Sequence, residues 1–408
     1  MDVNERVWAR PLFMLNLVHY WWCVGNPTTY SCTFGPAGRW KCLPFCSARP
    51  VSHTDLCAEM PTRPWFSRNL LNWYRENHRA LPWRSTTDPY KIWLSEVILQ
   101  QTRVDQGMAY WERFVERWPT VATLASAQEN EVLKAWQGLG YYSRARNLLK
   151  AAQQVVNEFD GKFPDNHVDL LKLKGVGDYT AAAIASISFH RAEAVVDGNV
   201  YRVLARAFGI GAPIDSTAGR KQFKELATEL LDAKHPGDHN QAVMELGATV
   251  CAPKDPDCKH CPVQAKCIAF TTGTISSFPL KQGKTKTRDR FFNYLHISEG
   301  NGIHMRQRTG KDIWTGLYEL PLIESAKPLT KRTLVTAIGK TFGPGWTVTR
   351  KGEVPRHVLS HQVIHAVFWS VDPPKKFAPS KDWELVPLKK LKKLAVPRLI
   401  ERWMEDEI

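Results

Sequence analysis

Leu173-Lys174-Gly175-Val176-Gly177-Asp178-Tyr179-Thr180-Ala181 reads as a Gly-x-Gly hairpin opening onto an alanine-rich helix, predicted from about Asp178 to Ser188. Glycine takes the backbone angles of a tight turn and lets main chain approach a ligand closely. The first N–H groups of the helix have no partner within it, so they face any anion placed beyond the turn. A DNA phosphate suits that place, with Gly175 and Gly177 as the contact points. An ordinary helix–helix turn is the plainer reading of a Gly-x-Gly taken alone. Upstream, apolar residues recur at spacings of three and four: Leu70, Leu71, Trp73 and Tyr74, then Trp93, Val97 and Ile98, then Tyr110, Phe114 and Trp118. Pro119, Pro164 and Pro213 punctuate the run, and nothing alternates like a strand before about residue 290. The hairpin therefore belongs to an all-helical body.

The 408 residues suffice for two or three domains. The formal net charge of +15 favours a polyanionic partner, because each phosphate that is neutralised releases counterions. Nine cysteines fall into two groups, which is not the spread of a secreted disulfide scaffold. Cys23, Cys32, Cys42, Cys46 and Cys57 accompany Trp8, Trp21, Trp22 and Trp40 in a segment of little periodicity. The apolar run Leu12 to Val24 is interrupted by Asn16 and His19 and is too short to span a bilayer. Gly25-Asn26-Pro27 makes a poor signal cleavage site. Residues 1–60 are expected to be an irregular extension outside the fold, with Met60 as the natural start. A targeting peptide and a small metal-binding module are the alternatives. With no organelle signal evident, the expected location is the cytoplasm of a bacterium.

The second cysteine group, Cys251-x6-Cys258-x2-Cys261-x5-Cys267, packs four thiols into one short loop. Such a set holds zinc or an iron–sulfur cluster, and spacing alone does not decide between them.

The hairpin, Val196-Asp197-Gly198-Asn199-Val200 and this cysteine spacing occur in order. So do three other stretches: Leu81-Pro82-Trp83-Arg84, Trp93-Leu94-Ser95-Glu96-Val97-Ile98-Leu99-Gln100-Gln101-Thr102, and Gly138-Leu139-Gly140-Tyr141-Tyr142-Ser143-Arg144-Ala145-Arg146-Asn147. From about Arg63 to the C-terminus, the chain resembles the endonuclease III superfamily and, within it, the adenine DNA glycosylases of the MutY family. The resemblance implies a multidomain protein. Residues 61–278 would form an all-α helix-hairpin-helix glycosylase core, in which Cys251, Cys258, Cys261 and Cys267 hold a [4Fe-4S] cluster. Residues 279–290 would be a linker, and residues 291–408 an α+β Nudix-like domain.

Breaking an N-glycosidic bond requires a protonated leaving base and a stabilised oxocarbenium sugar, and two carboxylates in different surroundings can supply both. Glu96 lies among apolar Trp93, Leu94, Val97, Ile98 and Leu99, which would raise its pKa and keep a proton available. Asp197 sits at the expected start of a helix, where an aspartate is also an ordinary N-cap. The resemblance implies that Glu96 protonates adenine at N7 and that Asp197 stabilises the cation and traps C1′, with Asn199 orienting these groups. Bifunctional relatives carry a lysine just after the hairpin that forms a Schiff base. Tyr179 stands there instead and cannot; the resemblance implies that it assists the catalytic carboxylate, and base removal without efficient strand cleavage is expected.

The adenine must leave the stack to reach such a site. The resemblance places Arg79, Trp83, Arg84, Leu99 and Gln241 around it, with Gln101 and Tyr141 wedging the duplex beside the opposing 8-oxoguanine. The implied partner is double-stranded DNA with adenine opposite 8-oxoguanine or guanine, bound by a monomer without a membrane.

Lys281 to Arg290 reads as a basic, solvated linker. Beyond it, Phe292 to Ile297 and Val363 to Trp369 are strand-like, and Leu388 to Trp403 is a basic amphipathic stretch expected to form one helix. Leu359-Ser360-His361 resembles the Phe-Ser-His loop with which the family contacts 8-oxoguanine, departing from it at the non-aromatic Leu359. Ser360 and His361 retain the donors. No acidic Nudix box of the REUxEExGU kind is present, which argues against pyrophosphate hydrolysis. An endonuclease III-like bifunctional glycosylase and a non-catalytic iron–sulfur DNA-binding protein are the competing readings. Tyr179 opposes the first, and the intact pair Glu96 and Asp197 opposes the second.

Overall fold

The computed structural model describes residues 64–283, 287–353 and 356–407, together with the backbone of 30–34 and 40–44. The chain divides into two compact units, Met1–Pro61 and Thr62–Ile408. In the first, β1 (Tyr30–Phe34) pairs antiparallel with β2 (Trp40–Pro44). The pattern had predicted nothing regular there, although Tyr30, Cys32 and Phe34 alternate with Ser31 and Thr33. The rest of the extension, including Met60, lies outside the described residues.

The second unit begins with a helical body: α1 (Pro64–Asn77), α2 (Pro89–Ile98), α3 (Val104–Arg117), α4 (Val121–Ala125), α5 (Glu129–Trp136), α6 (Ser143–Glu158), α7 (His167–Leu170), α8 (Asp178–Phe189), α9 (Gly198–Phe208), α10 (Thr217–Leu230), α11 (Pro236–Thr249) and α12 (Ile268–Thr271). Local chemistry sets the starts of the helices that matter most. Asp88 caps α2, accepting from Tyr90 N at 2.9 Å, with Pro89 in the first turn. Asp197 caps α9, accepting from Val200 N at 2.8 Å. The hairpin joins α7 to α8, and two constraints fix Gly175. Its φ is +79°, and a Cβ there would lie 2.7 Å from the Asn147 side chain on α6. Every residue of α8 from Thr180 to Ile187 is buried, as expected of a helix that is apolar all round and sits centrally.

Two apolar clusters fill this body. One runs through α1, α9, α10 and α11, centred on Phe66, Leu204, Phe223 and Leu246. The other, built on Trp93, Phe114, Leu133 and Trp136, continues without a break into the C-terminal part through Phe292, Trp314, Leu317 and Trp403.

The C-terminal part contains β3 (Arg288–His296), β4 (Ser298–Glu299), β5 (Gly302–Gln307), β6 (Tyr318–Glu319), β7 (Leu322–Ser325), α13 (Lys331–Phe342), β8 (Thr347–Glu353), β9 (His357–Val358), β10 (Gln362–Asp372), β11 (Trp383–Pro387), α14 (Leu388–Leu391) and α15 (Arg398–Glu407). One sheet has the order β7-β3-β10-β8, with β9 also on β10, and its central β3 and β10 run parallel. The other has the order β11-β5-β4, with β6 on β5.

Two expectations need correction here. The segment read as solvated linker ends inside β3. Strand alternation turns Arg290 inward to 6% exposure, where Asp312 and Glu324 neutralise it. Charge alone had suggested a solvated residue. The stretch from Leu388 is also two helices, because α14 stops and α15 starts only after Pro397, which interrupts a continuous ladder. In α15, Trp403 stacks on Phe368 of β10 at 4.7 Å. Among the described residues, no helix is long and apolar enough to cross a membrane.

Candidate active site

One open pocket in the helical body collects side chains from α2, α8, α9 and α11. Its walls include Glu96, Tyr179, Asp197, Asn199, Arg79, Trp83, Arg84, Leu99 and Gln241. All four residues read as catalytic meet there. The Tyr179 hydroxyl donates to Glu96 Oε2 at 2.5 Å and also lies 3.4 Å from Met244 Sδ. Asn199 Nδ2 donates to Asp197 Oδ2 at 2.8 Å, while Asp197 Oδ1 accepts from Val200 N. Asp197 is thus both helix cap and pocket carboxylate.

The environments of the two carboxyls differ in kind. Burial pushes Glu96 up to about 7; the Asp197 charge adds to this, while the Tyr179 hydrogen bond and the Arg84 charge oppose it. Burial raises Asp197 as well, but donors on both of its oxygens and the charge of Arg202 hold it toward the ionised form. Tyr179 lies well above its ordinary range, from burial and from the adjoining carboxyls, and so remains a neutral donor.

The base-pocket residues are less free than the sequence implied. Arg79 Nη2 and Arg84 Nη2 each donate to Glu245 Oε2 at 2.7 Å, and Arg79 Nε donates to Glu245 Oε1 at 2.8 Å. Glu245 is 0% exposed, yet burial is outweighed by these bonds, which bring its pKa down to about 2. Trp83 is buried edge-on against Trp111 at 5.6 Å, and Gln241 Oε1 accepts from Tyr74 Oη at 3.2 Å. Sequence reasoning missed Glu245. It lies one helical turn beyond Gln241 on α11, and that spacing was the available signal. Arg202 was missed too: it donates to Asn199 Oδ1 at 2.8 Å and to the carbonyls of Gly247 and Cys251 at 2.6 and 2.7 Å. Gly247 permits this, since a Cβ there would stand 2.6 Å from that of Asn199.

A second cleft lies between the helical body and the C-terminal part. Gln101 and Tyr141 line it from one side, and Leu359, Ser360 and His361 from the other. The hydroxyls of Tyr141 and Ser360 hydrogen-bond across it. Tyr141 is 49% exposed, so it is no core aromatic. Three residues lining the cleft hold left-handed backbones without being glycine: Gln101 (φ +59°), Tyr141 (φ +45°) and Trp314 (φ +61°). Such strain costs about 1–3 kcal/mol each and persists where surroundings dictate it, typically at functional sites. Leu359 lines the cleft while also packing, partly buried, against the core.

Gly175 and Gly177 line neither opening, although Tyr179, two residues on, lines the first. No side chain caps α8 at Gly177, and the first-turn Asp178 pairs with Lys224 at 3.2 Å.

Cys251, Cys258, Cys261 and Cys267 are free thiols lining one apolar cavity with Val203, Leu246, Val263 and Phe270. Burial pushes Cys261 up to about 12 and raises Cys258 and Cys267, with the other thiols adding to the effect. Buried Arg206 donates to Cys251 Sγ at 3.4 Å and to Ala252 O at 2.7 Å. Among the described residues, no group of three or more His, Cys, Asp or Glu is gathered tightly enough for one metal ion. Four thiols around one apolar cavity, with a guanidinium beside them, are a donor set suited to an iron–sulfur cluster.

Residues 94–229 match the HhH-GPD superfamily of base excision DNA repair proteins, and residues 293–406 match the NUDIX domain. The adenine DNA glycosylase of Homo sapiens is 48% identical over 369 residues, covering 76% of this chain and 67% of its own length. That of Buchnera aphidicola subsp. Schizaphis graminum is 36% identical over 257 residues, covering 63% and 74%. The chain belongs to the adenine DNA glycosylase family. The family's rat member is 46% identical over 242 residues, or 56% of this chain. The chain spans about half the length of that relative, 47%. The helix-hairpin-helix core and the Nudix-like C-terminal domain are those of the family, as the motifs implied.

Proposed function

We propose that this chain is a monofunctional adenine DNA glycosylase that hydrolyses the N-glycosidic bond of adenine opposite 8-oxoguanine or guanine in double-stranded DNA. The observation that carries the reading is Glu96, a carboxyl with its pKa near 7, sharing a pocket with the multiply bonded carboxylate of Asp197. Glu96 gives its proton to the adenine. The C1′–N9 bond breaks with its electron pair leaving on the base, and Asp197 holds the resulting cation and traps C1′. Water then attacks C1′, the C1′–Asp197 bond breaks with its electron pair returning to the carboxylate, and the water's proton goes to the Glu96 carboxylate. Tyr179 and Asn199 orient the two acids. No amine takes the place of Tyr179, which supports base release without a Schiff base.

The net charge of +15 and the uncapped start of α8 behind Gly175 and Gly177 support DNA as the partner, bound by a monomer. The wedge residues Gln101 and Tyr141, facing Ser360 and His361, support the reading of the base opposite adenine in the second cleft. Cys251, Cys258, Cys261 and Cys267 would hold a [4Fe-4S] cluster, which when bound ties their loop to α9 and supplies structural order rather than a step of base release.

The test is adenine release from duplexes with A opposite 8-oxoguanine or G, with Glu96→Gln and Asp197→Asn alongside. No release by the unmodified chain defeats the proposal, and full activity in both variants defeats the residue roles. Borohydride trapping as efficient as that of a bifunctional enzyme defeats the monofunctional part.

A further inference from the structure

Arg290 begins as a residue of β3 and ends as the centre of the second cleft's support. All five of its N–H donors are engaged. Nε and Nη2 donate to Glu324 at 2.7 and 2.6 Å, Nη1 and Nη2 to Asp312 at 2.8 and 2.7 Å, and Nη1 to Gln362 Oε1 at 2.9 Å. Two of these partners, Asp312 and Gln362, line the cleft, on the two C-terminal segments that face Gln101 and Tyr141. Gln362 follows His361 directly, and His361 O accepts from Arg288 N of the same strand at 3.1 Å. The guanidinium also lies 4.7 Å from the Phe292 ring, which meets Trp314 edge-on at 6.0 Å. Trp314 holds its left-handed backbone two residues after Asp312.

We propose that Arg290 is a positioning residue for recognition of the base opposite adenine, fixing the loop that carries Asp312 and Trp314 against the Ser360–His361 turn. The inference rests on the reading of the second cleft given above. A guanidinium fork is required, because a lysine ammonium is a point charge and cannot hold two carboxylates and an amide in a plane. Removing the fork leaves both acids tolerable. Asp312 keeps Arg308 Nη2 at 2.8 Å, and the partly exposed Glu324 can turn to water. The loops then lose their mutual register while the helical pocket, with Glu96 and Asp197, is untouched.

The experiment measures single-turnover adenine release and duplex affinity for A opposite 8-oxoguanine and A opposite G, with thermal midpoints. It uses the full chain and its Arg290→Gln, Arg290→Lys and Gln362→Ala variants. Arg290→Gln and Arg290→Lys are expected to lower the preference for 8-oxoguanine over G about tenfold, as when one or two charge-assisted hydrogen bonds are lost. Release from A opposite G should change less than about twofold. Gln362→Ala, which removes only the tie to the turn, should move the preference the same way even if an Arg290 variant folds poorly. An unchanged preference in all three variants overturns the assignment, and so does an equal loss on both duplexes, which a purely structural role would give. If the unmodified chain itself does not distinguish the duplexes, the reading of the cleft fails and the role of Arg290 fails with it. A preference present in the unmodified chain and kept by every variant removes Arg290 alone.

Discussion

The roles proposed for Glu96, Tyr179 and Asp197 rest on a few named contacts, so each can be tested singly. The raised Glu96 pKa, about 7, leaves the carboxyl protonated below neutrality and ionised above it. As general acid it is competent in the protonated form, so single-turnover adenine release should fall as pH rises through about 7. The Tyr179 hydroxyl stabilises the ionised form. Tyr179→Phe should therefore raise the Glu96 pKa further and move the alkaline limb to higher pH, which a pH–rate profile would detect. A limb that stays in place or moves down would contradict the assignment. Asp197 has two roles that substitution can separate. Asparagine caps a helix about as well as aspartate, so Asp197→Asn should hold stability within ~0.5 kcal/mol while activity collapses. Asp197→Ala should lose activity and about 1 kcal/mol as well, measurable by urea denaturation. The sequence indicated both roles, because an aspartate before a helix is visible as a cap and the motif around it is long. It did not show the Tyr179–Glu96 bond, which joins residues 83 positions apart.

At the scale of elements, α11 and the α1–α2 connection are joined through Glu245, whose carboxylate meets Arg79 and Arg84. Glu245→Gln should cost about 2 kcal/mol; that is below the usual loss for a broken buried pair, since Arg79 is more than a third exposed. Its depressed pKa, about 2, works in the opposite sense to that of Glu96. Its stabilising contribution is full above the ordinary carboxylate pKa and is lost as pH falls toward about 2, so the variant should show a flatter acid limb of stability. The cysteine loop is the other element-level case. Purified chain should contain about four iron and four sulfide per molecule, and Cys261→Ala should lose them along with thermal stability. Zinc in their place would refute the cluster. Periodicity located α1, α2 and α3, whose apolar faces repeat in sequence, and the alanine-rich run after the hairpin located α8. It failed at Leu388–Trp403, where Pro397 divides one amphipathic pattern into two helices, and at Arg290, where strand alternation buried a charge that composition had assigned to water.

At the scale of the whole molecule, the C-terminal part seats on the helical body through polar ties as well as shared core. Asn130 Oδ1 accepts from Ala395 N at 3.4 Å, Gln137 Oε1 accepts from Val396 N at 3.3 Å, and Arg146 donates to Thr315 O. If the proposed function holds and both clefts of this strongly basic chain meet a duplex, binding should show steep salt dependence. With roughly six to ten phosphates neutralised, affinity should fall about 10³–10⁵-fold between ~50 and ~200 mM salt, measured by anisotropy. A nearly flat response would speak against an extended phosphate contact.

The sequence by itself determined the helical body, the hairpin, the four-thiol loop and the two carboxylates, because each rests on short-range spacing or on a long ordered motif. Only the tertiary structure decided which of these residues share a space. It placed Glu96 with Asp197, occupied Arg79 and Arg84 with Glu245, and brought Gln101 and Tyr141 opposite Ser360 and His361. The reason is physical: spacing fixes which face of an element a side chain occupies, while partners, burial and hence pKa depend on elements that are distant in the chain and meet only when the core is packed.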